Sequence, residues 1–581
     1  MKHINKLTFI LVIAAVVFVC VLCFGATVVE QTADEEEYVS RYFDPDAVNT
    51  VKLTISEDNW QDMLANPLEE EYHVCSIEIN GDTYEGAAIR TKGNMSLRTV
   101  ASSASDRYSF KVKSDEYVKD QTFKGLSEFV LNNTIDDPTY MKEYLSYQLM
   151  SVMGVPTPLF AYAAVYVNGS YYGLYLMVEA VEEDFAKRNF GTDFGNLYKP
   201  ESMEMGGNNN GFAPQRIAGQ EAQKDTEPRG FDRDDMTNQV PGGENPAVPV
   251  PWDSEGASDA SGNPWEFLPD RGFDGTAQMQ FPDAEMGMRG MMPPGMEEEI
   301  PGADRGPGGN GGPGGFSGGG ADLVYTDDSL SSYRTIFDNA VFSRTDTPSS
   351  NERVVTALKH LNEGTELEKY IDVDEVLRYF AAHTALVSLD SYVSNLKHNY
   401  YLYENNGKLS MIPWDYNDSF GTFMGTSASD AVNFPIDTPV SSGISLSERP
   451  MIGSLLAVDS YKAKYHGYLK EIAEKFLGDS FPARVDKIDA LIGEYVKTDP
   501  TAFYTYEQYQ KSLPALKKFA ALRAKSILGQ IDGSIPSTWE GQKAAGAELI
   551  PTDDLDLSLL GGMGGGMGRG GVAPAQRTKG V

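Results

Sequence analysis

The sequence predicts an α+β fold in two parts, strand-rich over residues 45–200 and helical over 321–540. Three observations carry this expectation: period-two alternation with Asn-Gly turns before residue 180, apolar repeats at helical spacing after residue 350, and a break in composition between them. Strands are expected at 51–55, 75–79, 84–89 and 108–113. The middle two meet at Asn80-Gly81, a pair that tolerates the positive φ of a two-residue hairpin. Ser56 is placed to cap a short helix carrying Trp60 and Met63. A helix over 141–153 stops at Gly154, ahead of Pro156. Residues 161–167 and 173–178 form a hairpin about Asn168-Gly169. In the second part, helices are expected over 352–361, 373–389, 461–476, 485–496 and 513–531. A hairpin of 400–403 and 409–412 turns at Asn405-Asn406-Gly407.

Residues 201–320 are rich in Gly, Pro, Met and acid, with 11 glycines between 301 and 320. Ordering such a stretch costs backbone entropy that its sparse apolar content does not offset. It reads as a disordered insertion within one domain, because residues suited to one site lie on both sides of it. Its methionines (Met286, Met288, Met291, Met292, Met296) carry soft thioethers that suit copper(I), although compositional drift is the plainer reading. Residues 541–581 read as a low-complexity tail, nearly all Gly and Met over 561–571.

Lys2 and Lys6 precede an apolar run over 7–24, followed by Gly25, Ala26 and a group of acids. That is the order of an export signal, and the run's length is also near that of a membrane span. Residues 1–26 therefore read as a signal peptide or a membrane anchor, with the rest of the chain outside the cytoplasm. Membrane contact is expected only through this segment, if it stays uncleaved. Cys20 and Cys23 lie in it, so Cys75 alone remains after cleavage and no internal disulfide can form. The chain has 48 Lys and Arg against 84 Asp and Glu, a net charge of −36. Such a surface repels phosphate backbones, which excludes sequence-independent nucleic-acid binding and suits basic protein partners or cations.

The chemistry concentrates between residues 390 and 421. Asp390 is followed five residues later by Asn395, and a hairpin then leads to Asp415 and Asp418. Phosphoryl transfer from a nucleotide needs a carboxylate to orient the attacking hydroxyl, and an Asn and a second Asp to hold divalent metal. Protein kinases use the D-x-x-x-x-N spacing and place the metal Asp after a short hairpin. Upstream, Lys111 lies in an alternating strand and Glu143 in the first turn of the next helix, the order of the lysine–glutamate pair that holds the α- and β-phosphates. The nearest phosphate-loop candidate is Thr91-Lys92-Gly93-Asn94-Met95-Ser96. There is no G-x-G-x-x-G before Lys111, no H-R-D, and no D-F-G after Asp390, so an ordinary protein kinase is excluded. Each residue also has a plainer reading: a turn cap for Asp390, a turn residue for Asn395, a tight turn for Asp415, a solvated loop acid for Asp418, a surface lysine for Lys111 and a dipole-favoured acid for Glu143.

The chain resembles the spore-coat protein H (CotH) family of atypical secretory protein kinases. The resemblance lies in Ile89-Arg90-Thr91-Lys92-Gly93-Asn94-Met95-Ser96, Ser109-Phe110-Lys111-Val112-Lys113, Leu131-Asn132-Asn133, Met141-Lys142-Glu143-Tyr144-Leu145 and Met153-Gly154-Val155-Pro156. It continues in Tyr172-Gly173-Leu174-Tyr175-Leu176-Met177-Val178-Glu179, Asn196-Leu197-Tyr198-Lys199, His398-Asn399-Tyr400-Tyr401-Leu402-Tyr403 and Pro413-Trp414-Asp415-Tyr416. Met95 and Leu97 depart from the more polar run expected there. The resemblance implies a diverged protein-kinase-like two-lobed fold with the nucleotide between the lobes. It also implies transfer of the ATP γ-phosphate, with Mg²⁺ or Mn²⁺, to Ser or Thr of exported coat or surface proteins, expected to be basic, or of the chain itself. Asp390 is then the catalytic residue; Lys111, Glu143 and Lys92 bind the nucleotide; Asp415, Asn395 and Asp418 hold metal. The destination implied is extracellular, cell surface or spore coat. Two readings from other classes stay open: an inactive scaffold in a coat or surface layer, and a surface adhesin using the insertion.

Overall fold

In a computed structural model, residues 36–201, 319–343, 348–544 and 546–562 are described. Segment 1–26, nearly all of the 201–320 insertion with its methionines, and the end of the tail lie outside the described residues. All described residues fall in one unit, assembled from chain on both sides of 206–307.

Seven strands open that unit: β1 (Val48–Thr54), β2 (His73–Ile79), β3 (Asp82–Lys92), β4 (Ser109–Lys113), β5 (Glu128–Asn132), β6 (Phe160–Val167) and β7 (Ser170–Glu179). They close into a barrel in the order β1-β2-β3-β4-β5-β7-β6. The closing seam is parallel, with Val51 opposite Val165 and Leu53 opposite Val167. Alternation drives the closure. Along β2 every second residue is buried, and Ile77, Ile89, Phe110, Leu131, Val165 and Met177 join one apolar core. Closure leaves no exposed strand edge. The β1–β6 seam joins residues more than 100 apart and has no local signal, so the sequence announces strands but not a barrel.

The helices that position the site are α1 (Glu57–Ala65), α2 (Met95–Ala101), α3 (Lys142–Val152), α4 (Glu183–Phe190), α5 (Pro348–Glu363), α6 (Val373–Leu386), α7 (Asp459–Glu471), α8 (Phe481–Thr498) and α9 (Tyr506–Asp532). Ser56 Oγ accepts from Asn59 N at 3.2 Å, the cap expected for α1. The helix expected over 461–476 is α7 followed by a π-helical turn, Ile472–Phe476. A second sheet runs β11-β10-β8-β9. Its strands β10 (Tyr400–Asn405) and β11 (Lys408–Pro413) are the expected hairpin, while β8 (Asn196–Tyr198) and β9 (Ala340–Phe342) come from either side of the undescribed segment.

Arg107 ties the barrel to the helices. Its side chain has no exposed surface. Nη1 donates to both carboxylate oxygens of Asp499 (2.9 and 3.0 Å) and to Thr501 Oγ1 (2.8 Å), and Nε donates to the Asn133 carbonyl (2.9 Å). The chain also packs beyond Gly541, where the sequence suggested only a tail. Leu555, Leu557 and Leu560 are buried, and Gly561 lies so close to the Asp136 carbonyl that a Cβ there would sit 2.4 Å from its oxygen. Cys75 is buried, which pushes its thiol up to about 12. Among the described residues no helix is long and apolar enough to cross a membrane.

Candidate active site

Helix α6 stops where Val387 turns left-handed (φ 51°), and the chain that follows folds back on Asp390. His398 Nε2 donates to Asp390 Oδ1 at 2.6 Å. Asn399 Nδ2 donates to Asp390 Oδ2 (3.1 Å) and to its main-chain carbonyl (2.8 Å). Lys397 and Asn399 both have positive φ, and these two turns bring residues 398 and 399 against residue 390. Asn395, four residues earlier, is exposed. The amide bonded to Asp390 is thus that of Asn399.

The β10–β11 hairpin carries the chain to Asp415, which also adopts positive φ (60°). A non-glycine residue in this region is uncommon and is found where the surroundings hold it. Its N–H donates to Tyr147 Oη at 3.2 Å, which fixes it to α3. One turn earlier on α3, the Glu143 carboxylate takes both oxygens to Asn132 Nδ2 (2.9 and 3.0 Å). Asn132 Oδ1 in turn accepts from Lys92 Nζ at 3.0 Å. The ends of β3 and β5 and the start of α3 therefore meet at Lys92–Asn132–Glu143, with Asp415 close enough to influence both charged members.

Lys111 has other partners, although it lies near enough to Lys92 to lower the Lys92 ammonium. Its ammonium is 2.9 Å from Glu128 and 3.8 Å from Glu182, not on Glu143. In the register Arg90 faces Lys111 while Lys92 faces Ser109, so the strand lysine connected to the helix glutamate is Lys92. Asp418 is fully buried (1% exposed), with Asn417 Nδ2 3.2 Å from its Oδ2. It is not a solvated loop acid.

Two lysines flank one aromatic ring. Lys92 Nζ is 5.4 Å and Lys199 Nζ 5.8 Å from the Trp414 ring centroid, and Lys199 is also 5.7 Å from the Tyr401 ring. Lys199 pairs with Glu201 at 3.3 Å. Such cation–ring contacts hold an ammonium without neutralising it, which leaves positive charge beside Asp415.

The electrostatics follow from burial. Burial lowers the Lys92 ammonium below its ordinary range even though Asp415 and Glu143 oppose this. It raises Asp415, helped by repulsion from Asp390 and opposed by Lys92, Lys199 and His398. Burial and the Asp415 charge push Glu143 up to about 7. Burial alone would lower His398, but the Asp390 carboxylate outweighs it and holds the imidazole above its usual range. Perturbed groups of both signs in one cluster are a mark of a working site. Chemically, the Asp390 carboxylate can accept a hydroxyl proton, and Lys92 and Lys199 can meet an anion.

Spacing alone points to Lys111 for the phosphates, while Lys92 is implied as a nucleotide ligand by the family resemblance. Asn132, Lys199, Asn399 and Trp414 lay inside stretches that carry the family resemblance, but no spacing rule gave them roles.

These features define a class: a helix-and-strand protein whose barrel end and helical part bring acids and lysines together around one aromatic pair. The CotH kinase protein family matches residues 89–243 and 327–527, more than half of the chain. The chain belongs to that family. A stretch of 82 residues is 38% identical to the inner spore coat protein H of Bacillus subtilis (strain 168). That stretch covers 14% of this chain and 23% of that protein, so less than a quarter of the relative's length is spanned.

Proposed function

We propose that the chain is an atypical protein kinase that transfers the γ-phosphate of ATP to Ser or Thr side chains, within a diverged two-lobed kinase-like architecture. The barrel with α3 corresponds to the smaller lobe, and the helices from α5 onward to the larger. The observation that carries the reading is that Lys92, from the barrel, and Asp390 and Asp415, from either side of the β10–β11 hairpin, lie within electrostatic reach of one another, with Lys92 linked through Asn132 to Glu143. Asp390, steadied by His398 and Asn399, accepts the proton of the attacking hydroxyl. Lys92 and Lys199 bind the transferring phosphates, and Trp414 keeps both ammonium groups in place. Lys111 serves the neighbouring Glu128–Glu182 pair.

The donor set suits a magnesium or manganese ion. Among the described residues no three acidic, histidine or cysteine side chains form a ready cage. Nucleotide-borne Mg²⁺ needs only one or two carboxylates, with phosphates and water completing the shell. Asp415 would hold the ion, which when bound neutralises phosphate charge. The acceptors are taken to be basic exported proteins, on the strength of the −36 charge. A coat or surface destination is supported by the similarity to an inner spore coat protein.

The test is labelled-phosphate transfer from ATP with Mn²⁺ or Mg²⁺ to a basic Ser-rich protein, with nucleotide binding measured beside it. Asp415→Ala is expected to lose metal-dependent binding and transfer together. A folded Asp415→Ala that keeps full transfer sinks the reading, and nucleotide binding without turnover in the wild type favours the scaffold.

A further inference from the structure

We propose that His383, in the last turn of α6, is a positioning residue that sets the Asp390 loop and the Asp415 segment relative to one another. The inference rests on the functional reading above. Asp390 and Asp415 are 25 residues apart, with a whole hairpin between them. Their immediate neighbours meet on one imidazole: His383 Nε2 is 2.9 Å from Ser391 Oγ, and Nδ1 is 3.1 Å from Tyr416 Oη. The Ser391 hydroxyl already donates to the Ser388 carbonyl (2.8 Å), so it accepts from Nε2–H. Nδ1 is then the lone-pair nitrogen, and Tyr416 donates to it. One neutral tautomer satisfies both contacts.

The ring has little room to move. His383 is 2% exposed. Tyr379 stacks on it at 5.6 Å and 14°, and the Tyr416 ring meets it edge-on at 5.9 Å. Beside it, Phe420 N donates to the Leu386 carbonyl (2.6 Å) and Gly421 N to that of Val387 (3.1 Å), so the chain after Asp415 is tied to the end of α6. The offset between the two carboxylates is therefore fixed by an imidazole-width spacer rather than by the long chain joining them. Phosphoryl transfer is sensitive to such offsets, since a displacement of about 1 Å can cost on the order of a hundredfold in rate. His383 touches neither carboxylate, and acts through Ser391 and Tyr416.

The test uses the full chain and three substitutions. His383→Asn offers an amide oxygen near the Nδ1 position, His383→Gln an amide nitrogen near the Nε2 position, and His383→Phe fills the space while making neither bond. Transfer of labelled phosphate to the basic Ser-rich acceptor is read as kcat and KM, alongside backbone hydrogen exchange over 388–399 and 414–421. In His383→Phe, kcat is expected to fall about a hundredfold with little change in KM for ATP, and both segments to exchange faster. His383→Asn should loosen only 388–399 and His383→Gln only 414–421, each with an intermediate kcat. Unchanged kcat and exchange in His383→Phe overturns the proposal, as does a loss of folded protein in all three variants with normal kcat per folded molecule. If the wild type transfers no phosphate, the functional reading falls by itself, and the exchange pattern alone decides whether His383 couples the two segments.

Discussion

Arg107 and Lys92 are both cations carried into the protein, and their surroundings differ in kind. Arg107 meets Asp499, Thr501 and main-chain carbonyls, and the Asp499 carboxylate also takes the N–H groups of Leu174 and Thr501. Every side of that pair is answered from within the fold, and its role is to join barrel to helices. Lys92 donates to one amide, lies over a tryptophan, and shares its surroundings with Asp415 and Glu143, whose charges repel each other. The first cluster is arranged for stability. The second keeps charge available, at some cost in stability, which is common where a protein works on a ligand.

The largest effect expected from this contrast concerns the saturated pair. Arg107→Met leaves Asp499 buried and unpaired, and should cost about 3–5 kcal/mol in urea unfolding. Lys92→Met should cost far less. Equal losses would make both clusters structural and erase the distinction. In activity, the contrast sharpens between two lysines on adjacent strands. Lys92→Ala is expected to lower phosphate transfer about a hundredfold, as removal of a preorganised charge-stabilising donor does, and Lys111→Ala much less. The reverse ranking would restore Lys111 as the phosphate lysine. A smaller effect separates two asparagines: Asn399→Ala removes a hydrogen bond to a carboxylate, worth about 1.5–3 kcal/mol, and should slow transfer roughly tenfold or more, while Asn395→Ala should not.

A separate effect is on pH dependence. Glu143 is raised from 4.5 to about 7, so the folded chain binds its proton more tightly than the unfolded chain does. Its contribution then favours the fold at low pH and is lost as pH rises from about 4.5 through 7. Glu143→Gln should remove that slope, so that wild type and variant converge in stability toward pH 4.5 and separate toward pH 8. Parallel stability curves would show that Glu143 is not held protonated.

Much of the fold was legible. The helix-and-strand content, the three hairpins and the α1 cap follow from local periodicity and turn chemistry, which are properties of a few adjacent residues. The barrel was not, because β1 and β6 pair across more than 100 residues. In the site, Asp390 and Asp415 were found through their order around a hairpin. Lys92 and Asn399 were not given their places by spacing, because those places depend on strand register and on two positive-φ turns at Lys397 and Asn399. A five-residue spacing counts positions along the chain and says nothing of a loop that doubles back.

The most direct measurement is phosphate transfer by Asp390→Asn, with ATP binding measured on the same folded preparation. The substitution keeps shape and removes the proton acceptor. Transfer should fall about 10²–10⁴-fold, the range for loss of a positioned base, while ATP binding stays near the wild-type value. Wild-type transfer by folded Asp390→Asn would contradict the account at its centre.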